Sequence, residues 1–108
     1  MRGYKLYIQD IKEAIDKIQI YITNIDFESF KKDSKTYDSI IHNFFVIGEA
    51  AGKIPEEIHE RYSEIDWRGM IGMRNIIAHG YFTIDPDIIW KTIQDDLPVL
   101  KEQIKKIN

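Results

Sequence analysis

Apolar residues recur at three- and four-residue intervals along most of the chain, the period of a helix with one buried face. Tyr4, Ile8, Ile11, Ile15, Ile18 and Ile22 predict a long amphipathic helix over about residues 4 to 24. A linker with Asp26, Phe27 and Phe30 follows, with room for a helical turn. Asp33 or Ser34 then caps a second long helix reaching about Lys53, with Tyr37, Ile40, Ile41, Phe44, Ile47, Ala51 and Ile54 on its apolar face. Pro55 ends that element and suits the first turn of a short third helix edged by Ile58 and Tyr62. Asp66 is the natural cap of a fourth, which starts near Trp67, turns Met70, Ile71, Met73 and Ile77 inward, and stops at Gly80. Glycine just past a helix end ordinarily takes the left-handed conformation, and that is the expectation for Gly80. Asp85 and Pro86 open the last helix, which carries Ile89, Ile93, Leu97, Leu100 and Ile104. Pro98 lies inside it, lacks an amide proton, and is expected to kink or divide it near Asp96.

No segment alternates with a two-residue period, so strands are not expected. The pattern predicts an all-α, up-and-down bundle of four or five helices in one domain spanning residues 1–108. Tyr81 and Phe82 fall after the stop, and Trp67 and Trp90 need cover. A homodimer would bury such residues, and a small bundle could also absorb them into its own core.

Composition narrows the function. Hydrophobic residues at 44% and charged residues at 31% are the balance of a globular protein. No apolar stretch approaches the roughly 20 residues that cross a bilayer. The amphipathic start of the chain is unlike a signal peptide, so cytoplasmic residence is expected. The absence of cysteine fits that compartment and excludes disulfides, thiolate metal sites and thiol catalysis. A net charge of −3 argues against gripping nucleic acid through a broad basic surface, so any such chemistry must be local. Arg61, Arg68 and Arg74 fall within one short region and either make a small cationic patch, or Arg61 and Arg68 are ordinary solvated helix residues.

The stretch Arg74-Asn75-Ile76-Ile77-Ala78-His79-Gly80-Tyr81 interrupts an apolar run with polar groups that folding does not require. At about 100° per residue, Arg74 and Tyr81 would share a helical face within roughly 20°, whereas His79 would sit about 140° from Arg74. The Gly80 stop is expected to leave His79 in the last turn and Tyr81 outside the helix. The other histidines read differently: His42 as a partly buried packing residue, His59 as part of a solvated face beside Glu57 and Glu60. The three share no metal-ligand spacing, and no metal or cofactor is expected. Gly69 and Gly72 suggest close helix packing rather than a phosphate cradle. Around Gly48, small residues suggest the approach of a neighbouring helix. Glu49 either is solvated or structurally paired, or points at Arg74 and holds it by a charged hydrogen bond.

Cleaving RNA without metal needs a base for the 2′-hydroxyl proton, an acid for the departing 5′-oxygen and a cation for the transition-state charge. Histidine suits the proton transfers, and arginine's planar fork suits phosphate oxygens. One subunit supplies one of each, so a two-fold dimer would complete the set.

The pattern R-N-x3-H-x-Y resembles the signature of HEPN domains, specifically HepT-type toxins. The likeness is supported by Ile47-Gly48-Glu49-Ala50-Ala51, Ile54-Pro55, Trp67 and Asp96-Leu97-Pro98, and extends over most of the chain. It implies a dimeric α-helical, metal-independent ribonuclease with its active site at the dimer interface. Arg74 and His79 would be catalytic and Asn75 a polar helper. The implied partner is a minimal nucleotidyltransferase antitoxin that attaches AMP to Tyr81, placing phosphate and bulk beside Arg74. RNA is the implied substrate, and DNA is not; the acidic charge balance implies weak non-specific RNA affinity and suits a folded substrate such as tRNA. A reading from another class is a non-catalytic module that docks the nucleotidyltransferase and presents a substrate to it. A third is a purely structural helical dimer.

Overall fold

The computed structural model describes residues 3–107. Its helices are α1 (Tyr4–Tyr21), α2 (Phe27–Lys32), α3 (Ser34–Lys53), α4 (Glu56–Arg61), α5 (Trp67–His79), α6 (Pro86–Lys91) and α7 (Leu97–Ile104). No strand occurs among the described residues, so the all-α expectation holds. Among the described residues, no helix is long and apolar enough to cross a membrane.

Four aspartates start helices by accepting an amide proton at the N-terminus, where the first turn has spare donors. Asp26 accepts from Ser29 at 2.8 Å, Asp33 from Thr36 at 3.2 Å, Asp66 from Gly69 at 2.9 Å and Asp85 from Asp87 at 2.9 Å. The cap at Asp26 makes a helix of the expected linker, and Phe30 from α2 is fully buried. In contrast, α1 ends at Tyr21, three residues before the expected limit. Asn24 takes a left-handed φ of 63°, which halts helical propagation.

Pro98 has the foreseen effect, by a specific route. Between α6 and α7 the chain runs through a π-helical stretch, Thr92–Asp96, without leaving helical geometry. Proline cannot donate to the carbonyl four residues earlier and its ring crowds it; the wider turn makes room. α6, the π-stretch and α7 follow one another without a break as one long helical element.

α3 is the central helix, with α1 on one side and α5 on the other. The core lies between them and the composite last helix, and includes Ile11, Ile15, Ile18, Ile40, Ile41, Ile47, Ile89, Leu97 and Ile104. Lys101 of α7 reaches α1, donating to Gln19 at 2.8 Å and lying 3.4 Å from Asp16. Both tryptophans are absorbed within the bundle. Trp67 is buried and donates through Nε1 to the Tyr62 carbonyl at 3.1 Å; Trp90 packs on Phe30 and Phe27 with ring centroids 5.2 and 5.9 Å away.

Two histidine expectations are corrected. His42 is exposed rather than partly buried, because the neighbouring positions Ile41, Asn43 and Phe44 take the buried face of α3. His59 is a bridging residue rather than part of a solvated face. Its Nε2 lies 2.9 Å from the Ala51 carbonyl, its Nδ1 3.6 Å from Glu56, and its ring stacks on Trp67 at 4.5 Å. Arg61 and Arg68 remain exposed.

Candidate active site

The site is built where α5 meets α3. Gly48 sets the approach: a Cβ there would overlap the Arg74 Cβ and fall 2.6 Å from the Met70 carbonyl oxygen. The backbones meet closely at the residue whose side chain matters. Small residues in α3 therefore have the packing role expected of them. Gly69 and Gly72 do not: a Cβ on Gly69 would collide with the capping Asp66 carboxylate, and Gly72 has nothing within 4 Å.

Pressed against α3, Arg74 turns its side chain along that helix. Its Nε donates to Glu49 Oε1 at 2.5 Å, its Nη1 to Asn75 Oδ1 at 3.2 Å, and its guanidinium lies 5.4 Å from the Phe45 ring centre. The pairing of Glu49 with Arg74 is thus present. Side-chain exposures of 30% and 37% leave both groups in reach of solvent, so the pair is an orienting contact in partly wet surroundings. Two of the three guanidinium nitrogens are engaged within the protein, and Nη2 remains for an incoming anion.

His79 is the last residue of α5 and is exposed, as expected. Neither ring nitrogen has a hydrogen-bond partner among the described residues, so both are available for proton exchange. Its position in the last turn of α5 puts it at the negative end of the helix macrodipole. Five residues from Arg74 on a regular helix, it points about 140° away, so one subunit does not bring the two onto one face.

Gly80 departs from expectation. Its φ of −148° and ψ of 43° are not left-handed. A Cβ there would lie 2.7 Å from Thr83 Oγ1 and 3.4 Å from the Ile76 carbonyl, so a larger residue would have to displace the Thr83 hydroxyl. The chain then turns through a short 3-10 segment, Tyr81–Thr83, closed by Thr83 donating to the Gly80 carbonyl through N and Oγ1.

That turn carries Tyr81 onto α3. Its hydroxyl donates to Asp38 Oδ1 at 2.8 Å, and its ring meets the edge of Phe82 at 5.8 Å. The hydrogen bond to Asp38 and partial burial push the phenol above its ordinary value, and the negative charge of Asp38 adds to this. Asp38, Phe45 and Glu49 follow at spacings of seven and four, so they share one stripe of α3. α5 runs antiparallel along it, with Arg74 at the Glu49 end and Tyr81 at the Asp38 end. Asp38 and Glu49 are eleven positions apart, about 16 Å along the axis, so the Tyr81 hydroxyl is held away from Arg74 rather than beside it. Sequence reasoning missed Asp38 and Phe45; their i, i+7 spacing, continued to Glu49, was the available signal.

Comparison with known proteins supplies the family. The sequence matches the HepT-like family, described as ribonuclease HepT-like, over residues 11–107. It is 40% identical over 106 residues to a protein of Thermococcus cleftensis described as a probable ribonuclease HepT, covering 98% of this chain and 96% of that one. Proteins bearing RNase names from Caldanaerobacter subterraneus subsp. tengcongensis and Methanocaldococcus jannaschii are 32% and 30% identical. They cover 99% and 96% of this chain, and 96% and 95% of their own. No solved structure matches the chain. With a family match over residues 11–107 and a relative 40% identical over nearly the full length of both chains, the chain belongs to the HepT-like ribonuclease family.

Proposed function

We propose that this protein is a metal-independent endoribonuclease, the toxin of a type VII-like toxin–antitoxin pair, acting as a cytoplasmic homodimer on RNA, with tRNA a favoured class of substrate. The observation that carries the reading is the division of labour on α5. Arg74 is oriented by Glu49 and Asn75 with Nη2 left over, while His79 ends the same helix with both ring nitrogens free.

One His79 takes the 2′-hydroxyl proton as that oxygen attacks phosphorus. The partner subunit's His79 gives a proton to the departing 5′-oxygen, leaving a 2′,3′-cyclic phosphate. Arg74 stabilises the charge on the phosphoryl oxygens. The roughly 140° between Arg74 and His79 in one subunit supports a dimer, because facing copies can supply the acid and base from two chains. Exposed Ile76, at 53%, and Phe82, at 100%, lie in and just beyond the motif and offer apolar surface for such a contact.

A minimal nucleotidyltransferase antitoxin would silence the enzyme by attaching AMP to Tyr81. The modification replaces a hydroxyl donor with a bulky anion at the rim of the site.

The test is cleavage of a bulk tRNA pool by the unmodified protein in excess EDTA, beside folded His79→Ala and Arg74→Ala variants. Cyclic phosphate ends that disappear in both variants support the nuclease. Absence of cleavage of tRNA, rRNA and mRNA by the wild type would favour the module that only binds and presents a substrate.

A further inference from the structure

The Tyr81–Asp38 contact is more than a surface hydrogen bond. It spans 43 residues of sequence, joins the turn after α5 to the first part of α3, and leaves Tyr81 42% exposed. An exposed hydrogen bond of this kind adds little to stability. Its geometry is nevertheless that of a nucleophile resting on a base: a phenolic oxygen open to solvent, its proton directed at a carboxylate oxygen 2.8 Å away. Asp38 forms no ion pair among the described residues. Lys17 shares its shallow hollow, together with Tyr21, Ser39, His42 and Asn43, without closing on the carboxylate. Phe82, fully exposed, lies edge-on to the Tyr81 ring with centroids 5.8 Å apart.

We propose that Asp38 is the proton acceptor that activates the Tyr81 hydroxyl for attack on phosphorus. This deepens, and rests on, the reading of Tyr81 as the residue that receives AMP. As Tyr81 Oη attacks the α-phosphorus of ATP, the Oη–P bond forms and the bond from that phosphorus to the bridging oxygen breaks. Pyrophosphate leaves with the electron pair, and the phenolic proton passes to Asp38 Oδ1. The product has no hydroxyl proton to share, and its phosphodiester charge repels the carboxylate. Attachment therefore also releases the tyrosine from α3.

A phenol beside a carboxylate is harder to ionise in advance, in keeping with the upward push on Tyr81. The benefit comes when proton loss accompanies bond formation. The groups facing Asp38 that bear on any pH dependence are Tyr81 from the turn, Lys17 and Tyr21 from α1, and Tyr37 and His42 from α3, with Asp85 acting on Tyr37.

The experiment separates this inference from the nucleotidyltransferase reading by using a small phosphorylating reagent first. Diisopropyl fluorophosphate transfers its phosphoryl group with loss of fluoride, and the adduct at Tyr81 is counted by peptide mass, with Tyr81→Phe as blank. Wild type should react about 100-fold faster than Asp38→Asn near neutral pH, since asparagine keeps an acceptor oxygen but takes no proton. The rate for Asp38→Asn should climb about tenfold per pH unit as phenolate forms, while wild type stays nearly flat between about pH 6 and 8. Asp38→Glu should recover part of the rate. Equal rates for wild type and Asp38→Asn, or equal pH slopes, would overturn the proposal. The same proteins are then given ATP labelled at the α-phosphate and a minimal nucleotidyltransferase. Labelling that also falls in Asp38→Asn extends the role to AMP transfer. A wild type that depends on Asp38 with the fluorophosphate yet takes no AMP leaves the proton acceptor standing and removes the proposed partner.

Discussion

The two ends of α5 are made of similar residue types and treated in opposite ways. At its start, Asp66 caps the helix, Trp67 is buried with its indole nitrogen bonded, and His59 stacks on that indole with Nε2 against the Ala51 carbonyl. At its finish, His79 is bare, Ile76 and Phe82 face solvent, and Tyr81 is tied down by one exposed contact. A histidine whose nitrogens are taken up by the fold is a fastener, and one whose nitrogens are free is open to a ligand. Between the two ends, the Gly48 contact fixes where the helix lies on α3.

The largest effect expected from breaking this contrast is on catalysis. His79→Ala should lower RNA cleavage by about 10²- to 10⁴-fold with an unchanged melting temperature, whereas folded His59→Ala should cleave as wild type. Single-turnover cleavage beside thermal melts checks both, and equal loss of activity in the two variants would erase the distinction. Next is Gly48→Ala, which forces α3 and α5 apart at Arg74. It should destabilise by about 1–3 kcal/mol in urea unfolding and slow cleavage even under conditions where it stays folded. His59→Ala should cost about 1–2 kcal/mol, since it strips a stacked ring from Trp67 and takes the imidazole from the Ala51 carbonyl, which keeps only the Ile54 amide at 3.4 Å.

The smallest effect is at Tyr81. Its phenol titrates higher in the folded protein than in the unfolded chain, so the Asp38 contact contributes stability that is fully present below about pH 10 and is lost as pH rises through the folded value. Tyr81→Phe should therefore show a shallower loss of stability in alkali, read from urea midpoints across that range; an identical alkaline profile would mean the contact contributes nothing.

The helices were legible because three of the four aspartate caps and the three- and four-residue apolar spacing are local signals. Pro98 likewise announced its disturbance, although the chain's answer, a wider turn within a continuous helix, depends on how α6 and α7 are held. Local reasoning failed where a partner came from far along the chain. His59 read as solvated because its glutamate neighbours are adjacent in sequence, while Ala51 and Trp67, its true partners, lie eight residues away on either side. His42 had aromatic neighbours in sequence but not a buried face. The motif itself was visible as polar residues in an apolar run, and Glu49 was named as one of two alternatives. Asp38 was invisible because its contact with Tyr81 depends on the turn after Gly80, which is closed by Thr83 on the Gly80 carbonyl and is not the left-handed stop expected of glycine.

Asp38, Phe45 and Glu49 share one unbroken helix, which ties the site to rotational phase. A single residue inserted between Asp38 and Glu49 would rotate one end of the stripe by about 100° against the other, separating Arg74 from its carboxylate or Tyr81 from its own. The same insertion in the loop between α1 and α2 would be absorbed locally. Lengthening during divergence is therefore tolerated at the loops and refused by α3, whatever amino acid is inserted.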